Sequence, residues 1–248
     1  MTTAFEATER SARSVANIGA RFMLDPAVYA AGDADHGFHG MDFYFVGRGG
    51  MLGDVEPAVA AAAFGFFPPA VVELMWASGT SVMAASQASR EYLAACAKWG
   101  RNHFGADIDY AELAELSARV VAAGPTAGFP LFAGWQKAAA SVSTDDAKGA
   151  AMVLLTALRE LRGGAHLVAV TAAGVEPLDA VLHTGGVPNA QLFGYAEPYP
   201  DVSQLGETME AIERTTNRIV SLAYEALDSS ELDRFVDLTK AASIGITD

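Results

Sequence analysis

The chain has 248 residues, 51% of them hydrophobic, with 16 basic against 30 acidic side chains and a net charge of −14. That balance disfavours nucleic acid and anionic membrane as partners, because each approach to a phosphate adds repulsion. The lone Cys96 excludes a disulfide framework within the chain and fits a reducing compartment.

The opening residues MTTAFEATERSARS are polar, unlike a signal peptide. The longest apolar runs, Ala58–Phe67 and Ala150–Leu155, fall short of the ~18–20 residues that span a bilayer. These features predict a cytoplasmic protein with no membrane contact, a monomer or a homodimer.

Taken in order, Thr3–Leu24 reads as a helix, with Val15, Ile18 and Phe22 at helical spacing. Asp25-Pro26 starts a second, through the N-cap preference of Asp and the fixed φ of Pro, which ends near Gly32. Gly32–Gly40 reads as a loop. Met41–Val46 is apolar and aromatic, a strand or a buried helix. Asp54 is expected to cap a helix through Phe64, and Pro68-Pro69 opens another to Trp76. Ser78–His103 reads as one long amphipathic helix. Asp109 caps the next, which Gly124-Pro125 stops. A short aromatic helix follows over Gly128–Ala140. Ser143–Asp146 offers a capping box for a helix broken at Gly163-Gly164. After the extended Glu197–Asp201, a long helix covers about Val202–Leu227. Ser229 or Ser230 caps the last.

Two segments echo each other. Gly40–Val72 and Gly164–Leu192 each run from an apolar stretch to a glycine, then to a short Ala/Val helix and a Pro-led helix start. ELAELSARVVAA after Tyr110-Ala111 also lines up with ELDRFVDLTKAA after Ser229-Ser230, Leu113 and Leu116 corresponding to Leu232 and Phe235. The expected fold is therefore mainly α: two duplicated winged-helix-like halves, residues 1–125 and 126–248, sharing one core as a pseudo-dimer with long C-terminal helices in each half.

FMLDPAVY, GMDFYFVGRGGMLGDV, FPPAVV, LAACAKWG, FPLFAGW, LRELRGGAHLVAV and LFGYAEPYPDV resemble the SalK-like helix-turn-helix family of actinobacterial proteins, from about Phe22 onward. The resemblance implies a degenerate tandem winged-helix, MarR-like pseudo-dimer and supplies no catalytic residues.

A helix-turn-helix reads the major groove with basic or amide side chains on its second helix. No Lys or Arg occurs between Met51 and Ser89, or between Gly163 and Glu213. These windows hold both candidate reading helices, so no DNA-binding residue is assigned.

Asp33, Asp35, His36 and His39 form a D-x-D-H-x-x-H cluster. Imidazole and carboxylate suit a transition metal or haem iron, with His36 and His39 as ligands and His103 or His166 converging on them. The same residues also read as a polar loop with a helix cap, since no closed zinc pattern is present. Arg48 stands on the glycine-rich turn Gly47–Gly50, where its fork can hold a carboxylate or phosphate, or pair with Asp54 or Glu56. The glycines do not match a nucleotide loop. Arg159, Arg162 and His166 share one face only if their helix continues through Gly163-Gly164, lining a pocket if inward and balancing the helix dipole if outward. Phe43 and Tyr44 belong to a dense aromatic set fit to wall a planar ligand.

The expected function is binding of a small apolar or aromatic molecule between the two halves, through His36, His39, Phe43, Tyr44, Arg48, Arg162 and His166. The competing readings are a metal- or haem-dependent enzyme built on His36 and His39, and a transcriptional regulator.

Overall fold

A computed structural model describes residues 1–143 and 145–247, and it is mainly helical. Eleven α-helices lie among the described residues. They are α1 Ala4–Met23, α2 Pro26–His36, α3 Pro57–Phe64, α4 Pro69–Val82, α5 Ala85–His103, α6 Tyr110–Ala123, α7 Pro130–Ala139, α8 Ala147–Ala172, α9 Pro177–Leu192, α10 Gly206–Tyr224 and α11 Ser229–Ile244. No strand forms among these residues, only an isolated bridge between Phe104 and Ile246, so no β wing accompanies the helices.

The centre is α8. Residues Gly149–Leu158 are buried on every side, as an all-round apolar helix must be. α1, α5, α6, α7 and α10 pack around it. No single helix is long and apolar enough to cross a membrane.

Local chemistry explains most boundaries. Thr3 and Glu6 form a capping box on α1, and Asp228 and Glu231 form one on α11, so Asp228 rather than Ser229 or Ser230 is the cap. Asp109 accepts the Glu112 N–H as predicted. Asp146 accepts the Gly149 N–H; Thr144 of the expected capping box lies outside the described residues.

Several expectations are corrected. α2 does not stop at Gly32 but runs to His36, so much of the anticipated loop is helix. Gly32 is there for packing: an added Cβ would sit 2.8 Å from Phe43 Cδ1. The ambiguous aromatic stretch is neither strand nor α-helix. Phe43–Arg48 forms a buried π-helical turn. Asp54 does not cap α3; its carboxylate accepts the Ser86 N–H and Oγ–H at the start of α5, both at 2.8 Å. Ser78–His103 is two helices, broken where Met83 turns extended. Gly163-Gly164 breaks nothing, and α8 runs straight through both. In α9, Gly186 takes a φ of 65° and the helix resumes at the predicted Pro188 start.

Candidate functional site

A cavity of about 890 Å³ opens beside the C-terminal part of α8. Its apolar wall comes from Leu52, Val59, Leu167 and six phenylalanines: Phe64, Phe66, Phe67, Phe129, Phe132 and Phe193. The rings of Phe67 and Phe193 lie 4.5 Å apart, joining the first of the echoing segments to the residue just after the second. Its polar side comes from Tyr44, Thr184, His166, four arginines (Arg13, Arg48, Arg159 and Arg162) and three glutamates (Glu9, Glu160 and Glu213).

The π-helical turn sets Tyr44 and Arg48 on one side of the backbone. Such turns recur at functional sites because the widened turn re-aims side chains. Arg48 donates Nε–H to Glu160 Oε1 at 2.9 Å and a terminal N–H to Oε2 at 2.8 Å, and a third N–H to the Tyr44 hydroxyl at 2.8 Å. Its guanidinium lies 4.6 Å from the Phe64 ring centre. Of its five N–H donors, two have no protein partner among the described residues. The partner is Glu160, not the expected Asp54 or Glu56. Glu160 is buried, and Arg159 adds a further hydrogen bond to it at 3.3 Å. Burial pushes the Glu160 carboxyl upward, but Arg48 and Arg159 outweigh it and hold the group below the usual carboxylate range.

Because α8 continues through its glycines, Arg159, Arg162 and His166 do share one face, and all three line the cavity. Arg162 is spoken for: it donates to Asn217 Oδ1 at 2.7 Å and to Glu213. His166 pairs Nδ1 with Thr216 Oγ1 at 3.2 Å and lies against Phe66. Burial pushes its imidazole below the ordinary value, against an upward pull from Glu213, so it is chiefly neutral at pH 7.

The remaining predicted site residues lie elsewhere. Phe43 is core, stacked on Phe38 at 5.2 Å. His36 ends α2 against Phe38 and Phe43, with Nε2 4.0 Å from Glu91. His39 is exposed and faces Asp33 at 3.4 Å. His103 stacks on Trp99 and donates its Nδ1–H to the Thr247 carbonyl. The convergence of histidines does not occur: His36, His39, His103 and His166 each have separate partners. Among the described residues, no group of three or more His, Cys, Asp or Glu is arranged to hold a metal ion. Cys96 is buried against Thr156, and burial pushes its thiol up to about 12, which keeps it protonated and unreactive.

Sequence reasoning missed Arg13, Glu160 and Glu213 and left Arg159 out of the expected site. One signal was available for Glu160. It follows the largely apolar stretch Ala150–Leu158 of the same helix, where a carboxylate turned inward needs a buried partner. Nothing in the sequence singles out Arg13.

No curated protein and no solved structure matches this chain. Residues 8–197 do match the model of a family described as a helix-turn-helix family. That span holds most of α1, all of α2 to α9 and all but Glu213 of the cavity's charged groups. With most of its length and nearly all of its cavity matched, the chain belongs to this helix-turn-helix family.

Proposed function

We propose that the chain is a small-molecule-binding protein of the SalK-like kind, a helix-turn-helix scaffold that has lost its DNA-reading surface. The cavity carries this reading. Its volume of about 890 Å³ suits a drug-sized ligand, and its aromatic wall faces a set of convergent polar groups that can orient one. Its lining comes from residues on both sides of Pro125, in keeping with a ligand held between two halves.

The aligned helices α6 and α11 pack on each other. The aligned residues Glu112 and Glu231 each receive an arginine from the opposite helix: Arg234 reaches Glu112 at 2.6 Å, and Arg119 reaches Glu231 at 2.5 and 2.9 Å. The arginines themselves are not aligned, Arg119 falling opposite Leu238 and Arg234 opposite Glu115, so these contacts join the helices without being copies of one another. On the proposed reading face, α4 exposes Glu73 and Leu74 and has no cation to meet a phosphate.

Gly163 supplies the test. It lines the cavity, and an added Cβ meets no atom within 4 Å. The neutral fluorophore N-phenyl-1-naphthylamine should bind wild type saturably with one-to-one stoichiometry, and Gly163→Trp should abolish that binding while the protein stays folded. Undiminished binding in the variant, or sequence-specific retention of DNA at moderate salt, would overturn the reading.

A further inference from the structure

The charges around the cavity are not evenly matched. The chain as a whole carries −14, yet the cavity is lined by four arginines against three glutamates, with His166 chiefly neutral. The surplus can be located. Arg48 is neutralised by the bidentate Glu160, and Arg162 by Glu213. Arg159 has only a share in Glu160, whose oxygens Arg48 already occupies. Arg13 has no hydrogen bond or ion pair among the described residues. Glu9, one turn before it on α1, does not come within ion-pair distance of it, although both line the cavity. Room for Arg159 is made by α1. An added Cβ on Gly19 would lie 2.3 Å from Arg159 Cδ, so the arginine stem crosses the helix where a side chain is missing.

Taking the cavity to be a ligand site, we propose that the ligand is a monoanion: an apolar or aromatic body bearing one carboxylate or comparable acidic group. Arg13 and Arg159, from α1 and α8, take up the anionic group. The phenylalanine wall covers the body, and the two spare N–H donors of Arg48 are offered to a neutral oxygen. A single negative charge balances the surplus. A polyphosphate does not fit this pattern, because its further charges would face Glu9, Glu160 and Glu213 without partners.

Two probes sharing one ring framework provide the test. 8-Anilino-1-naphthalenesulfonate carries one acidic group, and N-phenyl-1-naphthylamine carries none. Both are titrated fluorimetrically at low and moderate salt into wild type, Arg13→Gln, Arg159→Gln, the double variant and Gly163→Trp. The sulfonate should bind wild type at least about tenfold tighter than the neutral probe, the size expected of one charge-assisted hydrogen bond. The preference should shrink with salt and fall to near unity in the double variant. Arg13→Gln, at an exposed and unpaired position, carries the test if Arg159→Gln is poorly folded. Equal affinity for the two probes in wild type, with both lost in Gly163→Trp, would overturn the monoanion proposal and leave the cavity reading standing. A preference that survives in both arginine variants would overturn it as well. Binding of neither probe to wild type would remove the cavity reading and this proposal with it.

Discussion

Glu160 and Arg48 meet across 112 positions of sequence through two parallel hydrogen bonds, with both side chains buried. The pair ties the π-helical turn to the central helix, and both side chains line the cavity. A buried pair of this kind is stabilising mainly by contrast with its broken forms, since removing one partner strands the other charge.

Arg48→Met is therefore expected to lose about 3–5 kcal/mol, and Arg48→Met/Glu160→Leu to recover most of it. Urea midpoints of the three proteins check this. The pH dependence should also change sign. In wild type the Glu160 carboxyl is held below its unfolded value, so its contribution is present above about pH 4.5 and lost as pH falls through the folded value. In Arg48→Met burial dominates and raises the carboxyl instead, so that protein should be more stable at pH 5 than at pH 7 relative to wild type. A parallel loss at both pH values would remove the buried pair from the account.

His166 should make the fold sensitive to mild acid. Its imidazole is held below the ordinary value of 6.5, so the folded state binds fewer protons than the unfolded chain below that pH. Its contribution is complete above about pH 6.5 and falls away as pH drops further. His166→Gln is expected to flatten the part of the melting-temperature profile between pH 7.5 and pH 5.5. A profile with unchanged slope would show that His166 titrates normally.

Asp25 holds two elements at once. Oδ1 accepts the Ala27 N–H to cap α2, and Oδ2 accepts the Trp99 indole N–H of α5 at 2.7 Å. Asp25→Ala should lose about 1–2 kcal/mol from the cap, with a further loss of about 1–3 kcal/mol from the unsatisfied indole. Near-ultraviolet circular dichroism should report the freed tryptophan. Asp25→Asn, which retains an acceptor, should recover a large part of the stability.

Two glycines in helices should respond oppositely to the same change. At Gly134 an added Cβ would lie 2.1 Å from the Met51 carbonyl oxygen, and backbone cannot step aside as a side-chain tip can. Gly134→Ala should destabilise by about 1–3 kcal/mol. At Gly163, within α8 and open to space, alanine should add up to about 1 kcal/mol by helix propensity. Thermal melts of the two single variants decide both expectations.

The sequence by itself determined what local chemistry controls. The caps at Thr3, Asp25 and Asp109 act on neighbouring backbone groups, and Pro at N1 presets its own φ, so α1, α2 and α6 begin where the residues indicate; α8 starts three residues later than a box capped by Ser143 would put it, with Asp146 as its cap. On α1, helical periodicity identified Val15, Ile18 and Phe22, which are buried. The gap in positive charge over Met51–Ser89 was legible as a plain count. Tyr44 was picked out from a dense aromatic set, Arg48 from its place on a glycine-rich turn, and Arg162 and His166 from their helical spacing.

Only the tertiary structure decided what depends on distant neighbours. A glycine reads as a helix stop until a packed side chain occupies its missing Cβ; Phe43 does this at Gly32, and Phe129 at Gly164. An aspartate before a helix reads as its cap until another N–H comes nearer, as Ser86 does for Asp54. The ion pair of Arg48 could not be read locally because Glu160 lies 112 residues away. Arg13 gained its place in the cavity only when α1 packed on α8. Side chains near in sequence set where elements begin, whereas burial across the fold sets which charges meet.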